Sequence, residues 1–353
     1  MNAPFDHDSE PIAASVHAPT RRIWLHLLLF AFTFLTTTVA GIIWVHPEVA
    51  FDIEYLSLGL PYAFSVMFIL TAHEFGHYFA ARAHGVDTTL PYYIPFPTIP
   101  PLSYLFLNFG TFGAVIRTRS IVPSRKAIFD IGVSGPIAGF IATLGILAYG
   151  YLHLPPADYL LSIHPDYDFG TNTIRNSEGM GLAFGDSLLM ALLRTALTQP
   201  GEFVPPMSEI YHYPFLCAGW FGLFVTALNL IPLGQFDGGH LIYAMFGERH
   251  KPVARFTFYA LLALAAPSLS DSVLRLLLTW ATGQDQPQIV PFAEYSWSAW
   301  FVWALIGLTL VKLYHPPVPD ESPLDPGRQA IGWATFGIFL LSFSPNPIVI
   351  SMP

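Results

Sequence analysis

Apolar stretches long enough to cross a bilayer recur along almost the whole chain, and they restrict its fold more than any other feature. A span needs roughly 20 mostly apolar residues. Stretches at 23–45, 60–83, 127–152, 211–233, 255–281, 297–315 and 330–350 approach or exceed that length. In lipid every backbone polar group must be satisfied internally, which restricts spanning segments to helices or closed barrels. Runs of this length fit helices. The composition agrees: 53% of residues are hydrophobic and 11% charged, against about 25% charged in a soluble chain. The expected fold class is an all-α polytopic membrane protein with six to seven transmembrane helices. Pro267, Ser268, Ser270 and Asp271 interrupt the fifth stretch, where a broken helix or two half-spans are expected.

Residues 86–125 read differently. Pro91, Pro95, Pro97, Pro100 and Pro101 rule out a continuous helix. The run from Gly110 to Arg119 reads as a strand, in a small β-hairpin inserted among the helices. The segment 153–208 is rich in acids and reads as a capped loop with a short helix near 185–197. The first 20 residues, with Asp6, Asp8 and Glu10, match neither a secretory signal nor a transit peptide and read as a disordered cytoplasmic tail. Residues 21–350 are expected to form one membrane domain, with its core at about 60–245 and further helices at 255–350. Cys217 is the one cysteine, so neither an internal disulfide nor a cysteine-based metal site is possible. A net charge of −9 with no basic cluster gives no reason to expect nucleic acid as a partner.

Basic residues set the orientation. With the N-terminus in the cytoplasm, every Lys and Arg except Arg175, Arg194 and Arg275 falls on the cytoplasmic side. The ends of the second and fourth stretches then meet at similar membrane depth.

The second stretch carries His73-Glu74-Phe75-Gly76-His77. In a helix, residues i and i+4 share a face, so His73 and His77 can present two imidazoles to one metal ion. Glu74 sits about 100° round the helix, able to reach a metal-bound water without ligating the ion. Ionisable groups inside an apolar span cost about 2.5–3.5 kcal/mol each, so an idle trio there is a poor explanation. A catalytic zinc wants three protein ligands and an open fourth position. The third-ligand candidate is Asp237, in Asn229-x-x-Pro232-x-x-x-x-Asp237-Gly238-Gly239, where the glycines would let the backbone turn tightly. An ordinary Asp-Gly turn at the membrane surface is the alternative.

Together, HEFGH at 73–77 and the motif at 229–239 resemble the site-2 protease family of intramembrane zinc proteases, peptidase family M50, over roughly 60–245. FGAVI at 112–116, IVPSRK at 121–126 and SGPIAG at 134–139 look most like the chloroplast and cyanobacterial-type branch. The resemblance implies that His73, His77 and Asp237 ligate one zinc ion per chain and that Glu74 is the catalytic base. It further implies regulated intramembrane proteolysis of single-span membrane proteins in the bilayer. Neither the PDZ nor the CBS domain that the family often carries is recognisable. A bacterial inner membrane, with the N-terminus and site toward the cytoplasm, is the expected location.

For substrate binding the candidates are Asn229, Phe112, Gly113 and Ala114. Asn229 could stabilise a developing oxyanion or bond a helix end beside Pro232. The strand at 112–116 could pair with an unwound substrate, or pair wholly within the protein. Gly135 and Gly139 read as a close helix contact, Asp130 as an interfacial residue, His84 as a flank residue and His240 as a surface residue in preference to one supporting the metal ligands. Rival functions are a zinc protease with a downstream glutamate ligand, a di-iron oxidase, and a transporter or scaffold with a metal site and no proteolytic activity. The first lacks a glutamate flanked as Asp237 is, and the second lacks further histidine clusters. A transporter would want a matching broken span in the other half.

Overall fold

The computed structural model describes residues 23–96, 108–174 and 181–351. The expected tail at 1–20, together with Pro97, Pro100, Pro101 and Arg175, lies outside the described residues. The first three helices are α1 (Ile23–Ile43), α2 (Leu56–Ala83) and α3 (Arg125–Leu152), each long and apolar enough to cross a membrane. The continuous helical stretch Asp237–Thr282 is the fourth such segment. The remaining apolar stretches form shorter helices. Of these, Pro214–Asn229 has 16 residues, about 24 Å of helix against a hydrocarbon core of about 30 Å. By length and composition, four helical segments among the described residues can cross a membrane, and three shorter apolar helices of 10–17 residues accompany them.

The loop after α3 holds α4 (Asp158–Ile163), the paired short strands Tyr167–Asp168 and Thr173–Ile174, and α5 (Leu188–Leu197), close to the short helix expected near 185–197. Then follow α6 (Pro214–Asn229), α7 (Asp237–Phe246), α8 (His250–Thr282), α9 (Trp300–Thr309) and α10 (Pro326–Ser342). The strand Gly181–Phe184 pairs with Ile348–Ser351, which brings the C-terminal segment back onto the loop.

Helix α3 is the hub and packs against α2, α6 and α7. Val66 and Leu70 of α2, Phe140 and Leu147 of α3, and Leu216 and Phe221 of α6 share one buried apolar cluster. At the start of α3, the Ser124 hydroxyl accepts from the Ala127 N–H at 3.2 Å, a cap for one of the free amides at a helix N-terminus. Buried Arg125 next to it donates to the Ala244 carbonyl (3.1 and 2.7 Å) and the Glu321 carbonyl (3.0 Å), locking α3 to the end of α7.

The interrupted fifth stretch forms one continuous helix, α8, with Pro267 inside it. Proline removes a backbone donor and disturbs the neighbouring bonds. Ser296 makes good the loss from outside the helix: its hydroxyl donates to the Leu264 carbonyl at 2.5 Å and accepts from the Ser268 N–H at 3.2 Å. Buried Asp271 accepts the N–H groups of Ile289 and Val290 at 2.7 and 2.8 Å. The polar residues that suggested a break therefore anchor the following loop.

The expected hairpin is present. β1 (Tyr92–Pro95) and β2 (Thr111–Val115) run antiparallel, with Tyr93 opposite Ala114 and Ile94 opposite Gly113. Thr36 donates to the Gly110 carbonyl at 2.7 Å and Tyr62 to the Phe109 carbonyl at 3.1 Å, pinning the base of β2 against α1 and α2. No other described strand flanks β2.

Candidate metal centre

Helical spacing puts His73 and His77 on one face of α2, and the structure turns that face toward α3 and α7. Their Nε2 atoms lie 3.0 Å apart. The Asp237 Oδ2 atom, at the first position of α7, is 3.4 Å from each. Both histidines are buried, and the three side chains form a group able to hold a metal ion. Two donors of a tetrahedral zinc ion lie roughly 3.3 Å apart, given zinc–nitrogen bonds near 2.0–2.1 Å. The donor set and its spacing fit zinc. The His77 Nδ1 atom is 2.7 Å from the Ile131 carbonyl. A carbonyl only accepts, so Nδ1 carries the hydrogen and the Nε2 lone pair of the neutral ring faces the other donors. Such a bond from the second ring nitrogen is what orients metal-binding imidazoles.

Glu74 is buried beside the cluster, and the Ile116 backbone faces its carboxylate. The Asn229 Nδ2 atom, at the C-terminal end of α6, is 3.3 Å from His73 Nε2. All of these residues line a cavity of about 300 Å³. Ala114, Val115, Ile116 and Thr118 form its wall on the hairpin side. Of the strand residues singled out from the sequence, Ala114 is in that wall. Phe112 packs on Phe96 instead, with ring centroids 4.6 Å apart, and Gly113, at φ 101°, has open space where a Cβ would stand.

Several residues that the sequence left in the background belong to this centre. A Cβ on Gly135 would stand 2.1 Å from His77 Nε2, and one on Gly139 would stand 3.1 Å from His73 Nδ1. The two glycines are thus more than a helix contact: they make room for the imidazoles. His240 lines the cavity, and its Nδ1 atom is buried without a partner, which replaces the surface role expected for it. His84 and Asp130 also have partners. His84 Nε2 is 2.8 Å from Asp130 Oδ2, and Arg328 donates to both Asp130 oxygens at 2.8 and 2.6 Å. This bridge joins α2, α3 and α10 next to the metal centre. The G-x-x-x-G spacing could have pointed to the glycines; nothing local in the sequence points to the Arg328 bridge.

Residues 61–266 match peptidase family M50. Three relatives from Arabidopsis thaliana illustrate the similarity. "Probable zinc metalloprotease EGY1, chloroplastic" is 31% identical over 281 residues, 78% of this chain and 46% of that protein. "Probable zinc metalloprotease EGY2, chloroplastic" is 28% identical over 69% of this chain and 39% of that protein. "Probable zinc metallopeptidase EGY3, chloroplastic" is 26% identical over 78% of this chain and 45% of that protein. The aligned part is therefore less than half of each of these relatives. No solved structure matches the chain significantly. The chloroplast names agree with the branch suggested by the strand and SGPIAG motifs. They overturn the expected bacterial inner membrane, which rested on the character of the N-terminal residues alone.

Proposed function

Since the chain belongs to peptidase family M50, we propose that it is an intramembrane zinc metalloprotease that hydrolyses peptide bonds in or beside the transmembrane segments of single-span membrane proteins. The observation that carries this reading is the convergence of His73, His77 and Asp237 at zinc-like spacing, with Glu74 alongside and an open cavity in front. Following its relatives, we place it in a chloroplast membrane.

His73, His77 and Asp237 would hold one zinc ion at this centre: two neutral imidazoles and one carboxylate, an anionic ligand that tempers the dication. A bound zinc ion supplies Lewis acidity, acidifying water and polarising the scissile carbonyl. Glu74 takes the proton from the attacking water and passes it to the leaving amine. Asn229 points its amide nitrogen into the centre, where it can donate to the developing oxyanion. A transmembrane helix hides its peptide bonds, so the substrate must unwind locally. The edge of β2 not paired with β1 offers an extended segment a place to pair.

The direct test is Glu74→Gln in membranes containing tagged single-span proteins. Cleavage should fall by about 10²–10⁴-fold, the usual worth of a general base, while zinc content at this centre is kept. Persistent cleavage in the variant would remove Glu74 from the reaction.

A further inference from the structure

A second cluster of metal-binding groups stands away from the first. His164 follows α4, Glu209 precedes the turn Ile210–His212, and that turn leads into α6. The Nε2 atoms of His164 and His212 lie 2.9 Å apart. Glu209 Oε2 is 3.7 Å from each of them. Side chains of Glu209 and His212 are more than nine-tenths buried, and Glu209 Oε2 has no hydrogen-bond partner. Among the described residues, this trio and the trio of the first centre are the two groups placed to hold a metal ion.

The hydrogen bonding limits what these atoms can do without a cation. His212 Nδ1 lies 2.7 Å from the Trp44 carbonyl, so it must donate there. A neutral His212 then turns an Nε2 lone pair toward His164. At most one proton, carried by His164 Nε2, can sit between the two rings, and Glu209 Oε2 stays unsatisfied beside them. A buried polar atom left without a partner costs about 1–3 kcal/mol. A dication between the three donors would use both lone pairs and the orphaned oxygen together. Two imidazoles and a carboxylate are a recurring zinc donor set, and the bond to Trp44 is the kind that orients a ligating ring.

We propose that His164, His212 and Glu209 form a second zinc site, which raises the expectation from one zinc ion per chain to two. Such a site would tie three segments together: the end of α1 through Trp44, the loop after α3 through His164, and the start of α6 through Glu209 and His212. Tyr159 strengthens the same junction by donating to the His212 carbonyl at 2.7 Å.

Zinc counting on the purified full chain tests this independently of cleavage. After incubation with zinc and removal of excess, the wild type should hold about two ions per chain. His73→Ala with His77→Ala should hold one, His164→Ala should hold one, and the triple variant none. A wild type with one ion, together with a His73→Ala, His77→Ala variant holding none, would overturn the second site. Should His164→Ala lose both ions through misfolding, the decision passes to X-ray absorption on the His73→Ala, His77→Ala variant. Its remaining zinc must show imidazole and oxygen ligands and must disappear with Glu209→Gln; zinc retained in full after that change sinks the proposal.

Discussion

Two clusters of the same make-up stand at opposite ends of α6, one beside Asn229 and the other at His212. The 16-residue helix between them is about 24 Å long. In each, two imidazole nitrogens lie within 3.0 Å of each other and one carboxylate oxygen is equidistant from both. Each also has one ring held by a 2.7 Å bond to a backbone carbonyl. The donors do not distinguish them; the surroundings do. The first trio opens on a cavity and has an extra carboxylate, Glu74, within the same wall. The second has no further carboxylate in its group among the described residues. A metal site becomes a reaction site through what is left open and what stands ready beside the ion, not through the ligands alone.

Exchanging the carboxylates' fates is the sharpest way to break this comparison. Asp237→Ala should abolish cleavage and remove zinc from the first centre, whereas Glu209→Ala should remove zinc from the second and leave measurable cleavage. Metal analysis paired with a cleavage assay reads both, and zinc retained in full by Asp237→Ala would take that residue out of the ligand set. Gly135→Ala comes next. Its added Cβ would stand 2.1 Å from His77 Nε2, and forcing a methyl group into a packed site costs about 1–3 kcal/mol, which predicts roughly a tenfold or larger loss of cleavage with weakened zinc binding. Gly145→Ala on the same helix meets nothing within 4 Å and should be silent. Equal effects from the two would refute the claim that Gly135 makes room for the ring.

A proline inserted in β2 should lower cleavage well beyond any change in zinc content, because it disturbs the strand edge and leaves the donors in place. If zinc and cleavage fall together, the strand supports the fold and does not hold substrate. The smallest effect is expected from His164→Ala on cleavage. Sites far apart without shared partners act nearly independently, so turnover should change by less than about threefold while the melting temperature falls. A loss of cleavage as deep as that of Asp237→Ala would mean that α6 couples the two ends.

Much of the first centre was legible beforehand because its spacing is local. The i, i+4 pair in HEFGH needs only helix geometry, and HEFGH lies in an apolar stretch that permits nothing but a helix. Asp237 lies 160 positions beyond His77, so its arrival depended on the second motif and on family resemblance. A hairpin within 86–125 was legible from its prolines and from the strand pattern at Gly110–Arg119, but the pairing of Tyr92–Pro95 with Thr111–Val115 and the facing of Ala114 into the cavity were not. Its direction follows from Thr36 and Tyr62 gripping the base of β2.

Apolar length, helix periodicity and the HEFGH register are properties of neighbouring residues, and the chain determined them by itself: apolar helices of membrane-crossing length, one of them with two imidazoles on one face. Tertiary structure decided what depends on distant approach. It kept α8 continuous by bringing Ser296 to the backbone beside Pro267, and it made Gly135 and Gly139 seats for two imidazoles. It also assembled His164, Glu209 and His212 from a loop with no telling spacing. The physical reason is range. Backbone geometry sets which side chains share a face over a turn or two of helix, while only the packing of whole elements sets which faces meet.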